Sequence, residues 1–188
     1  MASRIRARLA REEGFTLIEL VTTMAILGFV LSGIIAVSVS GLHAQTDMNL
    51  RFQAQQNARV ALTGMRNDIR TACQESVPAD GMSVTLTYAC GGTTSQVTWC
   101  ASSSSGSAPY GLYRQAGAVC SYSTGVQRAD QITTTDKSGN PVTIFAPLVV
   151  SGSHPQLQVT LPVDANLANT QGLYTLTDTM TLRNAAVS

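Results

Sequence analysis

The sequence predicts an α+β protein, a long N-terminal helix packed on a small, mainly antiparallel β-sheet head. Three observations carry this expectation. Phe15–Leu42 is an apolar run with one ionisable residue, Glu19. His43–Cys73 continues with apolar residues at three- and four-residue spacing and contains no proline. From Val77 the period falls to two, in short runs rich in Val, Thr and Tyr that Gly, Ser, Asn and Pro punctuate. The chain divides accordingly into 1–14, 15–42, 43–73 and 74–188, with no internal repeat.

Met1–Gly14 sets Arg4, Arg6, Arg8 and Arg11 against Glu12 and Glu13, so a formal charge of +1 for the whole chain leaves −1 for everything after Gly14. That balance offers no basic excess for nucleic acid. Four arginines ahead of an apolar run follow the positive-inside tendency, which puts the C-terminal part outside the cytoplasm.

The apolar run is long enough to cross a bilayer, for which about 20 residues at 1.5 Å rise suffice. A secretory signal peptide would have an apolar core of about 7–15 residues ending in a small-residue cleavage site, and this run is too long. An acidic side chain deep in a membrane costs about 2.5–3.5 kcal/mol, so an intramembrane carboxylate points to a paired, functional group. Glu19 is that residue, close to the cytoplasmic edge of the span.

Beyond Leu42 the helical pattern persists while the composition turns polar. Ala54, Ala58, Leu62, Met65, Ile69 and Ala72 make one apolar stripe, with Arg51, Arg59, Arg66, Asp68 and Arg70 largely off it. One continuous helix is expected from about Thr16 to Ala72, apolar all round at first and then amphipathic, burying its stripe against the head. Gly28, Gly33 and Gly41 are its weak points in the span.

In the head, Ser83–Cys90 alternates as a strand, Gly91–Ser95 turns, and Gln96–Cys100 returns as a second strand. Ala101–Pro109 is a serine-rich surface loop and Tyr110–Arg114 a third strand. Gly117–Thr135 reads as an irregular loop and Asp136–Pro141 as a turn. Short strands are expected at Val142–Phe145, Gln156–Leu161 and Asp178–Arg183.

Four cysteines, Cys73, Cys90, Cys100 and Cys120, all fall on the extracytoplasmic side. An even count in an oxidising compartment favours two disulfides. Of the three connectivities, Cys73–Cys90 would tie the helix end to the first strand and Cys100–Cys120 would close the serine-rich loop. Metal ligation needs close spacing such as C-x2-C, which is lacking, so no metal and no cofactor is expected. His43 and His154 have no sequence partner for general-base work, and no G-x-S-x-G or S-x-x-K frames a serine. No enzymatic activity is expected. Asp136–Asn140 loosely resembles a calcium loop but lacks the oxygen series and closing Glu of an EF-hand, so a plain turn is the reading.

The string Gly14-Phe15-Thr16-Leu17-Ile18-Glu19, after a short charged leader and before an apolar helix, closely resembles the class III signal of type IV pilins and type II secretion pseudopilins. The resemblance covers Gly14 to about Leu42 and implies a pilin-like fold. It implies cleavage by a prepilin peptidase between Gly14 and Phe15, N-methylation of Phe15, and a role for Glu19 in subunit assembly. Gly28 matches a glycine common in the family helix, whereas the helix-bending proline of many pilins is missing between Phe15 and Leu42. The implied partners are the peptidase, other pilin or pseudopilin subunits in a filament, an inner-membrane assembly platform, and membrane lipid before assembly. Arg59-Val60-Ala61-Leu62, Met65–Ala72 and Thr181–Asn184 are similar to the J-type minor pseudopilins and W-type minor pilins. The competing reading is a membrane-anchored extracytoplasmic module that binds a ligand and does not polymerise.

Overall fold

The computed structural model describes residues 16–89, 91–148, 153–165 and 173–186. Among them the chain forms one helix, α1 (Leu17–Thr71), then β1 (Gln74–Ser76), β2 (Ser83–Tyr88), β3 (Ser95–Ser102), β4 (Tyr110–Ala116), β5 (Val126–Ile132), β6 (Phe145–Leu148), β7 (Gln156–Val163) and β8 (Tyr174–Thr181). This is the α+β architecture expected, with the helix packed on an antiparallel sheet. Two compact units divide it, the first ending at Thr46 and the second running from Asp47 to the C-terminus.

In the first unit every described residue is exposed, including Leu17, Ile18, Met24, Phe29, Ile34, Ile35 and Val37. α1 is long and apolar enough there to cross a membrane. Its hydroxyls are the only uncharged polar side chains before His43, and the helix satisfies them itself. Thr22, Thr23 and Ser32 donate to the carbonyls of Glu19, Leu20 and Phe29 at 2.8–3.0 Å, three residues back. Ser38, Ser40 and Thr46 donate to those of Ile34, Ala36 and Leu42 at 2.8–2.9 Å, four residues back. Such back-bonding is how a hydroxyl is tolerated in hydrocarbon, where no water can take its place.

In the second unit the predicted stripe becomes the core. Ala54, Ala58, Leu62, Met65, Ile69 and Ala72 are all buried, joined by Ala61, and meet Val84, Leu86, Trp99, Leu112, Ile132 and Phe145 from the sheet. Ala54, Ala58 and Ala61, four and three residues apart, let strands approach α1 closely, while Met65 and Ile69 fill the core beyond them.

All strand pairs are antiparallel, in the order β1-β2-β3-β4-β5-β7-β6, with β8 on β7. β5 meets β7 through one rung, Ile132 with Val163, and β6 pairs with the first half of β7. Since β8 pairs with all eight residues of β7, β5 and β6 share the opposite edge of that strand. Gly81, at φ +62°, turns the β1–β2 connection so that its carbonyl accepts from Phe145 N–H at 2.9 Å. A Cβ there would stand 2.3 Å from Thr143 Cγ2, which leaves room for glycine alone.

Several head expectations need correction. Gly117–Thr135 is not all loop: Val126–Ile132 is β5, held by pairing with β4 across register shifts, with Gln131 at φ +58°. Its sequence, with Arg128 and Asp130 in the middle, shows no alternation, so pairing rather than its own apolarity makes it a strand. The expected Val142–Phe145 strand lies at Phe145–Leu148, because Val142 N–H bonds back to Thr134 and an isolated Thr135–Pro141 bridge closes the preceding turn. The last strand begins at Tyr174 and ends at Thr181 instead of running from Asp178 to Arg183. β1, three polar residues against β2, was not expected at all.

The turn itself is as read. Asp136 Oδ1 accepts from the backbone N–H groups of Ser138 and Asn140 at 2.8 Å, and its Oδ2 from the Asn140 side chain at 3.0 Å. These bonds, from Asn140 first, hold its pKa below the usual carboxylate range.

Candidate processing and assembly site

Gly14 and Phe15, the expected cleavage and methylation residues, lie outside the described residues. Thr16 caps α1: its carbonyl accepts from the N–H groups of Glu19 and Leu20 at 3.0 and 3.2 Å, and its Oγ1 accepts from Glu19 N–H at 3.3 Å. Thr16-Leu17-Ile18-Glu19 thus has the T-x-x-E spacing of a capping box, a signal present in the sequence that the reading of Glu19 as a lone intramembrane charge passed over. An acidic residue in the first turn also suits the positive end of the helix dipole.

Glu19 has no cationic partner among the described residues. The helix around it is lined by Leu17, Ile18, Leu20 and Val21, all exposed. With the hydroxyls back-bonded, Glu19 is the one side chain of Leu17–Leu42 whose polar demand the helix does not meet beyond its cap.

Residues 9–35 match the family model for the prokaryotic N-terminal methylation motif. The chain carries a prepilin-type methylation signal. The match spans the end of the charged leader and the first half of the apolar run, with Gly14, Phe15 and Glu19 inside it. No curated protein and no solved structure matches the chain. The signal and the helix that follows it, long and apolar enough to cross a membrane, are similar to the N-terminus of type IV pilin- and pseudopilin-like subunits.

Of the cysteines in this prepilin-type chain, Cys100 and Cys120 are joined by a disulfide with Cα atoms 5.9 Å apart, closing the segment that holds the serine-rich loop and β4. Cys73 is also disulfide-bonded. Cys90, expected as its partner, lies outside the described residues. No described cysteine is free.

Among the described residues, a polar cluster against the apolar layer was missed by sequence reasoning. Asp68, on α1, accepts from Trp99 Nε1 at 2.9 Å and from Arg114 Nε at 2.7 Å and its terminal nitrogen at 3.3 Å. These bonds from Asp68 raise the guanidinium pKa of Arg114. Nearby Tyr88 is pushed up to about 12, by burial first and by the Asp68 charge second, with Arg114 opposing. No group here has the nucleophile and base geometry of a catalytic centre. The cluster ties the helix to β3 and β4.

Proposed function

We propose that the chain is a minor pilin or pseudopilin: a subunit inserted in the cytoplasmic membrane with its head outside, cut between Gly14 and Phe15, N-methylated on Phe15, and drawn into a helical filament through α1. The observation that carries this is Glu19, the single charge in the apolar stretch of α1 up to Leu42, whose other polar side chains are already satisfied. A buried carboxylate needs a cation, and cleavage creates one, the Phe15 α-amine. Pairing Glu19 with that amine of a neighbouring subunit relieves both charges and fixes the axial register between helices. The J-type and W-type likeness in Arg59–Ala72 supports the minor-subunit reading.

Two variants in a native host test it. Gly14→Val puts a side chain where the peptidase needs none, and intact mass should show the leader retained and Phe15 unmethylated. Normal maturation of that variant would remove the class III assignment. Glu19→Ala should insert, fold its head and be cleaved, yet be depleted from sheared filaments relative to membranes, with Glu19→Asp intermediate. Incorporation of Glu19→Ala at the wild-type level would show that this carboxylate is no assembly contact. Retention of Met1–Gly14 by the wild-type chain would favour the non-polymerising anchored module.

A further inference from the structure

Residues 43–188 carry eight basic and eight acidic side chains, yet they are not evenly spread. Arg66, Arg70 and Arg183 line one cleft of about 480 Å³ between the end of α1 and β8. Arg59 continues the row along α1, donating to Tyr174 Oη at 3.5 Å at the other end of β8. Against these four cations stands one carboxylate, Asp178, paired with Arg66. Arg70 and Arg183 are exposed and have no hydrogen-bond or ion-pair partner among the described residues.

β8 is also an edge. Among the described residues it pairs with β7 alone, so one row of its backbone N–H and C=O groups has no strand beside it. Successive strand side chains point to opposite faces, so a cleft lined by Thr179, Met180 and Thr181 in succession opens along the strand's margin. Several devices that usually protect such a margin are missing: β8 contains no Lys and no Pro, its register with β7 runs unbroken over eight pairs, and its one charge, Asp178, is paired with Arg66.

We propose that this groove binds an extended acidic peptide segment of a partner protein, which adds to β8 as a further strand and sets its carboxylates against Arg70 and Arg183. The backbone edge supplies affinity, and the guanidinium row supplies selectivity for acidic side chains at alternate positions. A small anion would engage the cations and leave the strand edge empty. A second copy of this chain would bring its own β8 edge, whose single acid is already paired, and so would not answer the arginines.

The test uses the full-length processed protein in detergent micelles and a fluorescein-labelled peptide of alternating Glu and Thr. Saturable binding is expected, weakened about tenfold or more by Arg70→Glu combined with Arg183→Glu. These side chains are exposed and unpartnered, so the fold should survive, checked by an unchanged thermal midpoint. Two versions of the peptide, N-methylated at alternate amides in the two possible phases, separate edge pairing from charge alone: the version blocked on the face towards β8 loses binding and the other keeps it. The proposal is overturned by absence of saturable binding, by binding that the double variant leaves unchanged, or by both N-methylated peptides binding equally well. It is likewise overturned if inorganic phosphate displaces the label as effectively as unlabelled peptide, which would make the cleft a small-anion site.

Discussion

Replacing Asp68 by alanine removes three acceptor contacts at once, and burial decides what each costs. The Trp99 indole is 1% exposed, so its N–H cannot turn to water, and leaving it unpaired costs about 1–3 kcal/mol. The Arg114 side chain is 33% exposed, so its guanidinium rehydrates and the lost pair is worth about 0–1 kcal/mol. The sum is about 1–4 kcal/mol, or a fall of about 3–13 °C in Tm for a unit of this size. Asp68→Asn keeps an acceptor for the indole and should lose about half as much. Trp99 is the only tryptophan, so its emission reports exposure directly during unfolding of the full-length protein in detergent. Double-mutant cycles, followed by circular dichroism, should give a larger coupling for Asp68 with Trp99 (as Trp99→Phe) than with Arg114 (as Arg114→Ala). A change below about 0.5 kcal/mol for Asp68→Ala, or the reverse order of couplings, would refute this account of the cluster.

Two further outcomes are expected of the head. Burial raises the Glu75 carboxyl to about 7, and its Oε2 has no hydrogen-bond partner among the described residues. The folded state therefore holds a proton that the unfolded chain releases near its ordinary value of 4.5, so stability should fall as pH rises from about 4.5 to 7. Because the group is only half-buried, solvent screening leaves about 1 kcal/mol, and Glu75→Gln should flatten that slope in pH-dependent melts. Replacing Cys100 and Cys120 together by serine should cost about 3 kcal/mol for the segment they close, measured by denaturant unfolding. Non-reducing peptide mapping should find no alkylatable thiol and should recover a Cys73–Cys90 peptide; recovery of Cys73 with another partner would reject that pairing.

The helix was legible almost to the residue, Thr16–Ala72 expected and Leu17–Thr71 found, because apolar spacing and the lack of proline are local properties. The β2–β3 hairpin was legible for the same reason, with turn residues standing between alternating runs. β1 and β5 were not, since Gln74–Ser76 and Val126–Ile132 are mostly polar and become strands only by pairing with neighbours. Thr-rich β8 was half found: Tyr174 and Leu176 alternate with threonines in its first half as a strand requires, and only the half from Asp178 was read as one. Asp68 sat among the arginines of an amphipathic helix and looked like surface charge. That it reaches Trp99 and Arg114 depends on a helix–sheet contact that no local pattern reveals. Glu19 was legible as a charge out of place, but its place opposite the Thr16 cap was not noticed.

The back-bonded hydroxyls of α1 carry a consequence for how the segment changes surroundings. A helix that had lent its hydroxyls to lipid headgroups, water or a companion helix would have to break those bonds on leaving. Here Thr22, Thr23, Ser32, Ser38, Ser40 and Thr46 carry their bonds with them, so oil and protein look nearly alike to the span from Leu17 to Leu42. Transfer is then governed by van der Waals fit and by a single charge, Glu19. Asn in place of any of these six would end that indifference: an amide has more donors than its own helix can absorb, and it would seek company in whichever phase offered it.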